Sequence, residues 1–303
     1  LINQAHSAFS ALKQKEHELK VTVDWQPIAC GSSNWLFKGH LGGCDYVLRI
    51  NASTEYAFGV CRAREEKVLA LIQGQDWAVD IVENNVTEGW CLMKDHGSSL
   101  VLKHISPSEV LHMLAKIHQF SKSVAPHIKA DLAFDYQKLF SQYQAILAKV
   151  TGNELAILLC RQISNSMTLL PAVPSVLMHQ DLHLKNICKQ EALIAIDWEY
   201  GGWGSPWLDS AALCREFELS AALVRQLSVF DQLSDSEFLA GIDLADIINK
   251  GISCIWYWMR RQEGVTQMNG LERKLDHGQV SIEQLITDTQ LCLDRLSTAN
   301  VVE

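Results

Sequence analysis

The sequence predicts an α+β fold of two lobes, a small antiparallel sheet carrying one helix followed by a larger, mostly helical lobe. Three observations lead there. Up to residue 96 the apolar residues fall in short, strand-like runs separated by turn-forming clusters, and beyond it they recur at helical spacing. Between Val176 and Asp209, polar and ionisable residues interrupt otherwise strand-like sequence, VLMHQDLHLKNICKQEALIAIDWEYGGWGSPWLD. The length, 303 residues, lets each lobe bury its own core. The interruption Lys94-Asp95-His96-Gly97 divides the chain into residues 1–96 and 97–303.

In the first lobe, Lys20 to Cys30 alternate, with Val21, Val23 and Trp25 on one face, as in a half-buried strand. Gly31-Ser32-Ser33-Asn34 then forms a turn before the run Trp35-Leu36-Phe37-Lys38, and after Gly42-Gly43 the stretch Tyr46 to Ile50 is the next strand of a meander. Small residues let backbone N–H groups approach an anion closely, so Gly31, Ser32, Ser33 and Asn34 are candidates for covering phosphate. An ordinary β-turn has the same composition. Arg62 to Gln73 sets Val68, Leu69, Leu71 and Ile72 at helical spacing, with Arg64-Glu65-Glu66-Lys67 along the exposed side. Val79 to Val82 and Trp90 to Met93 complete the sheet.

The second lobe opens on Ser106-Pro107-Ser108-Glu109, a capping box with proline at the first helical position. Val110, Leu111, Leu114, Ile117 and His118 follow on one face, which makes His118 a core histidine. Tyr136, Leu139, Phe140, Tyr143, Ile146, Leu147 and Val150 mark another helix. Pro171 and Pro174 introduce the polar stretch, where Ile187-Cys188 and Leu193 to Ile196 form a hairpin around Lys189-Gln190-Glu191. Beyond Asp209 the pattern is helical, with Ser234-x-x-Glu237 and Ser281-x-x-Gln284 as further capping boxes.

Composition narrows the function. A net charge of -9 disfavours nucleic acid, whose backbone demands basic patches. The nine cysteines include no C-x-x-C pair, which argues against a disulfide framework or a zinc site and for reduced thiols. With no signal-peptide pattern and no membrane-length apolar run, a cytoplasmic enzyme with no nucleic-acid, membrane or protein partner is expected.

The chemistry lies in the polar stretch. Closing the hairpin puts the Asn186 amide oxygen and the Asp197 carboxylate side by side at its open end, two hard oxygen ligands of the kind Mg²⁺ prefers. Asp181, five residues ahead of Asn186, is left to accept a proton from an attacking hydroxyl, and phosphoryl transfer needs little beyond such positioning and charge neutralisation.

His179-Gln180-Asp181-Leu182-His183 with Asn186, followed by Ile196-Asp197-Trp198-Glu199-Tyr200, Gly204-Ser205-Pro206 and Asp209, resembles the aminoglycoside phosphotransferase and choline kinase superfamily, small-molecule relatives of the protein kinases. The Asp-Trp-Glu-Tyr run is most similar to bacterial choline and thiamine kinases. The resemblance implies a bilobal protein-kinase-like fold and the use of ATP and Mg²⁺. It makes Asp181 the base, Asn186 and Asp197 the metal ligands, His183 a neighbour of the transferred phosphate, and His179 and Asp209 braces of the loop. It gives Arg49 the phosphate grip, with Glu65 as its helix partner and Glu66 the alternative, and sets Met93, Lys94 and Asp95 against the purine. The family more often has glycine where Gln180 stands, aspartate where Ser205 stands, and a small residue where Lys185 stands.

For the acceptor, Trp198, Tyr200, Trp203 and Trp207 follow the metal aspartate, and Trp256, Tyr257 and Trp258 share a late helix. Aromatic faces attract quaternary ammonium and thiazolium groups by about 0.5–2 kcal/mol per ring, and Glu199 adds a counter-charge. Glu199, Trp203, Trp207 and Trp256 are therefore the candidate contacts of a cationic alcohol of choline or thiamine type. An aminoglycoside would instead meet Asp231, Asp235, Glu237 and Asp243. Two rivals use the same stretch: His179, Asp181 and His183 as a transition-metal hydrolase site, and a kinase-shaped binding protein without catalysis.

Overall fold

The computed structural model describes residues 10, 13, 23–28, 34–52, 57–102, 105–149, 151–262 and 281–299. The candidate turn residues Gly31, Ser32 and Ser33 lie outside them. The chain forms two compact units, one of residues 1–104 and 184–201 and one of residues 105–183 and 202–303. Sequence pattern divides the chain at residue 97; packing carries the first unit further and joins Leu184–Gly201 to it.

The first unit holds a five-stranded antiparallel sheet of β1 (Gln26–Pro27), β2 (Trp35–Leu41), β3 (Cys44–Ile50), β4 (Ile81–Asn85) and β5 (Trp90–Lys94), in the order β1-β2-β3-β5-β4. Of the strand expected over Lys20 to Cys30, the described part pairs with β2 at Gln26 and Pro27, and Ile28 N–H bonds the Leu36 carbonyl at 2.9 Å. Gly42 and Gly43, both at positive φ, close β2 onto β3 through a two-residue turn of the kind that matches strand twist. Leu48 and Ile50 of β3 meet Trp90 and Leu92 of β5 in the core, with Trp25, Phe37 and Tyr46 packed against them. The expected strand at Val79 to Val82 is displaced. Ala78 bridges in parallel to Ala195, and β4 begins only at Ile81.

Helix α1 (Arg62–Ile72) buries Glu65, Val68, Leu69 and Ile72, a stripe at i, i+3, i+4 and i+7. Its first member is a carboxylate, contrary to the expectation that Glu65 lies along the exposed side. The predicted hairpin is present as β7 (Ile187–Lys189) and β8 (Leu193–Ala195), with Ile187 opposite Ala195. Bridges from Ala78 to Ala195 and Ser99 to Cys188, and a 2.9 Å bond from Ala195 N–H to the Trp77 carbonyl, fix it to the first unit.

The second unit contains α2 (Pro107–Ser123), α3 (Pro126–Asp131), α4 (Tyr136–Leu147), α5 (Glu154–Ser166), α6 (Trp207–Glu216), α7 (Ala221–Val224), α8 (Asp235–Gln262) and α9 (Ile282–Ala299), with β6 (Val176–Met178) paired antiparallel to β9 (Gly202–Gly204). The Ser106/Glu109 capping box starts α2 as expected. Trp207 stacks on Phe230 and Phe238 at 4.6 and 5.8 Å, and Gly241 leaves the space its ring occupies, since a Cβ there would stand 2.4 Å from it. Among the described residues, no helix is long and apolar enough to cross a membrane, and the cysteines are free thiols.

Candidate active site

Strand alternation sends Leu48 and Ile50 into the sheet core and Arg49 to the opposite face. Arg49 is buried there. Its Nη2 donates to Glu65 Oε1 at 2.5 Å and its Nη1 to Asp197 Oδ1 at 3.2 Å. Glu66 is exposed, so Glu65 is the partner of Arg49. Arg62, one turn earlier on α1, donates to Glu65 Oε2 at 2.7 Å and stands 3.1 Å from Glu199 Oε2. Asn34 closes the network. Its Oδ1 accepts from Ala52 N–H and Arg62 Nη2, and its Nδ2 donates to Glu199 at 3.0 Å.

Two guanidinium groups thus face three carboxylates, Glu65, Asp197 and Glu199. Burial pushes the Glu65 pKa up, but Arg49 and Arg62 push it down by more, and it stays below the usual carboxylate value. Burial likewise opposes the charge of Arg49, and Glu65, Asp197 and Glu199 more than offset it. By formal charge the two guanidinium groups and three carboxylates leave one negative excess, which suits an added cation.

The hairpin ladder runs one bond past β7 and β8, from Ile196 N–H to the Asn186 carbonyl at 2.9 Å, so Asn186 and Asp197 stand at its open end. Asp197 takes a left-handed conformation, φ 63°, which short polar residues adopt more readily than most. Its side chain is a third exposed. Among the described residues, no three His, Cys, Asp or Glu side chains stand close enough to hold a metal by themselves. Two hard oxygen donors, an amide and a carboxylate, fit a Mg²⁺ that takes its other ligands from phosphate and water. At the expected purine contact, Met93 pairs within the sheet, and Lys94 and Asp95 N–H donate to the Asp80 and Asp45 carbonyls at 2.9 Å each. A purine meeting Lys94 and Asp95 therefore finds those N–H groups already engaged.

In the second unit, Asp209 in the first turn of α6 accepts from His179 N–H and Gln180 N–H at 2.7 Å each. Burial pushes its pKa up to about 6, against the pull of those two N–H groups. Asp181 N–H donates to His179 Nδ1 at 3.3 Å, and His183 Nε2 lies 3.6 Å from Asp181 Oδ2. The Asp181 and His183 side chains are each more than 30% exposed, at 39% and 33%, and so open to a substrate. His179 is wholly buried with Nδ1 accepting from the backbone, and no three such side chains among the described residues stand close enough to hold a metal, which goes against the transition-metal reading. Gln180 sits at φ 66°, a conformation costing a residue with a Cβ about 1–2 kcal/mol. Tyr136 OH donates to its Oε1 at 2.7 Å.

The acceptor candidates are placed differently from expectation. Glu199 is 4% exposed and bound by Arg62 and Asn34, so its charge is compensated within the first unit. Trp207 is wholly buried, with Nε1 donating to the Pro171 carbonyl, and has no ring face left for a ligand. The Trp203 ring carries Lys129 Nζ at 4.9 Å, and the Trp256 ring carries the Arg260 guanidinium at 5.0 Å, so each has a cation of the protein's own. Among the acidic residues considered for an aminoglycoside, Glu237 caps its own helix by accepting from Ser234 N–H at 2.7 Å.

Sequence reasoning passed over Arg62, whose signal was its place three residues before Glu65, and Tyr136. It counted Tyr257 among the late-helix aromatics without making it a candidate contact; Tyr257 is a partly exposed ring on α8 whose hydroxyl pKa is raised by burial and then by the carboxylates of Asp181 and Glu216. His118 is buried, with neither ring nitrogen hydrogen-bonded among the described residues, and burial lowers its pKa to about 4, in keeping with a core histidine.

Solved structures share this architecture along nearly the whole chain. Choline kinase LicA from Streptococcus pneumoniae superposes with a TM-score of 0.65 at 16% identity, covering 96% of this chain and 99% of its own; LicA in complex with AMP gives 0.63 at 18%, covering 95% and 98%. A choline kinase from Cryptosporidium parvum gives 0.63 at 14%, covering 92% and 91%. Macrolide 2'-phosphotransferase MphH from Brachybacterium faecium gives 0.55 at 15%, covering 86% and 98%. No curated protein sequence matches the chain significantly. The fold is thus the two-lobed α+β fold of the protein-kinase-like enzymes. The chain belongs to the phosphotransferase enzyme family, whose model matches residues 24–242. It is a kinase-type phosphotransferase.

Proposed function

We propose that this phosphotransferase moves the γ-phosphoryl group of ATP, with Mg²⁺, onto the hydroxyl of a small cationic alcohol of the choline or thiamine type in the cytoplasm. The observation that supports the reading is the ion-paired chain Glu65–Arg49–Asp197, in which the Arg49 guanidinium stands 3.2 Å from the Asp197 carboxylate. Arg49 orients phosphate oxygens through its planar fork. Asn34, Arg62 and Glu65 keep it rigid. Asn186 and Asp197 hold the metal. When bound, Mg²⁺ would neutralise phosphate charge and leave the terminal phosphorus more open to nucleophilic attack.

Asp181 orients the acceptor hydroxyl and takes its proton as the new O–P bond forms and the bond to ADP breaks. His183, beside Asp181, contacts the transferred group. His179 and Asp209 hold the backbone of the loop. Met93, Lys94 and Asp95 meet the purine edge through carbonyl and side-chain groups. The choline or thiamine type rests on the run Ile196-Asp197-Trp198-Glu199-Tyr200 and on the choline kinases among the similar folds. Tyr257, with Glu216 nearby, is the aromatic group offered to the cation, in place of Glu199 and Trp207.

The test is Mg²⁺-dependent ADP release from ATP, and from GTP in parallel, against thiamine, choline, ethanolamine, homoserine and an aminoglycoside. Stimulation by choline or thiamine alone is expected. Stimulation by the aminoglycoside alone overturns the acceptor class while leaving the phosphotransfer.

A further inference from the structure

The loop that carries Asp181 contains a feature its backbone alone does not explain. Gln180, immediately before Asp181, holds the left-handed conformation that suits glycine. Its neighbours are clamped: His179 N–H and Gln180 N–H both donate to Asp209, and Asp181 N–H donates to His179 Nδ1. A glycine would satisfy all three of those bonds and relieve the strain. What the glutamine brings is a side chain whose oxygen accepts from Tyr136 OH at 2.7 Å, a hydroxyl that also lies 3.8 Å from Met178 Sδ.

Tyr136 is a firm anchor. It is the first residue of α4, whose N-terminus is capped by Asp135 accepting from Lys138 N–H at 2.9 Å. Its ring packs on Phe134 at 4.7 Å, and Phe134 N–H bonds the Trp203 carbonyl of β9 at 2.9 Å. The hydroxyl therefore reaches the loop from a helix end and a strand that are both fixed in the second unit. We infer that the Tyr136–Gln180 hydrogen bond is a positioning latch, which ties the Asp181 backbone to the start of α4 and sets the direction of the Asp181 carboxylate for phosphoryl transfer. Neither residue touches the reacting atoms; both act through Asp181. The inference rests on the reading of Asp181 as the base.

A purely structural role and a positioning role separate in this pair. Gln180→Gly removes both the strain and the latch, so as a structural change it raises the melting temperature or leaves it unchanged. As a loss of positioning it lowers kcat about 10-fold, equivalent to about 1.4 kcal/mol in the barrier, with the KM for ATP within 2-fold of the parent. Tyr136→Phe removes only the hydroxyl and lowers kcat by the same factor. The double variant falls no further than either single change, because both remove one bond.

The assay is Mg²⁺-ATP turnover by the full chain, with the acceptor that stimulates it most or with water, alongside thermal unfolding and with Asp181→Ala measured first. If Asp181→Ala retains full turnover, or the parent shows none, both the base assignment and the latch are overturned. If Asp181→Ala is inactive while Gln180→Gly and Tyr136→Phe each stay within 2-fold of the parent kcat, or their losses multiply in the double variant, the latch alone is overturned.

Discussion

Replacing Glu65 with alanine tests the ion-paired network most sharply, because the exposed Glu66 next to it serves as an internal control. Glu65 accepts from Arg49 at 2.5 Å and from Arg62 at 2.7 Å, with side-chain exposures of 2% for the glutamate and 4% for Arg49. Removing the carboxylate leaves Arg49 buried, with the 3.2 Å contact to Asp197 as its remaining ion pair among the described residues, and turns two guanidinium groups toward one cavity. Breaking a buried pair from one side costs about 3–5 kcal/mol. At roughly 2–4 °C per kcal/mol for a domain of this size, Glu65→Ala lowers the melting temperature by about 6–20 °C. Glu66→Ala, on the solvent side of α1, stays within about 0.5 kcal/mol of the parent. Thermal and urea unfolding of the two variants make the comparison. Melting of Glu65→Ala within about 2 °C of Glu66→Ala refutes the view that this network holds α1 to the loop of Asp197.

Two buried groups make the pH dependence of stability a second test. The folded pKa of His118 is depressed to about 4, so its contribution, about 3 kcal/mol, is present above the ordinary histidine value and lost as pH falls from about 6.5 to 4. The folded pKa of Asp209 is raised to about 6 from 3.8, so its contribution, also about 3 kcal/mol, is present in acid and lost as pH rises from about 4 to 6. The two oppose each other over that window. His118→Leu should therefore gain stability on acidification from pH 6 to 4, and Asp209→Asn should lose it, as read by urea unfolding at each pH; parallel profiles for the two variants would contradict the assignments. Asp197→Ala should weaken Mg²⁺-ATP binding at least 10-fold by calorimetry while leaving ATP binding in chelator little changed, and equal losses in both conditions would remove Asp197 as the metal ligand. Tyr257→Ala should raise the KM for the acceptor several-fold and leave that for ATP alone; the reverse pattern would move Tyr257 to the nucleotide side.

What was legible in the sequence was local. The hairpin of Ile187-Cys188 and Leu193-Ala195 follows from two apolar triplets around a polar turn, and its closure brings Asn186 and Asp197 together without further information. The Ser106/Glu109 capping box is a three-residue signal and is present as read. Long-range partners were not legible. Glu199 looks like a free carboxylate close to Asp197 until Asn34, 165 residues earlier in the chain, is found bonded to it. Trp207 looks like a ligand-facing ring until Phe230, Phe238 and Gly241 enclose it. Sequence spacing cannot tell an aromatic that lines a pocket from one that fills a core, because both need the same apolar neighbours. The displaced strand at Val79 has a similar origin: a short apolar run marks burial, while the pairing of Ala78 with Ala195 is decided by a hairpin more than a hundred residues away.

The central claim is that Asp181 is the base of a metal-dependent phosphoryl transfer to an alcohol. The most direct measurement follows radiolabel from γ-labelled ATP into choline and thiamine, with Mg²⁺ and with chelator, in the parent chain and in Asp181→Ala, together with nucleotide binding by both. The account predicts a labelled phosphoester formed only by the parent and only with Mg²⁺, while Asp181→Ala binds nucleotide with nearly parental affinity and transfers at least 100-fold more slowly. Transfer at the parental rate by Asp181→Ala would contradict it.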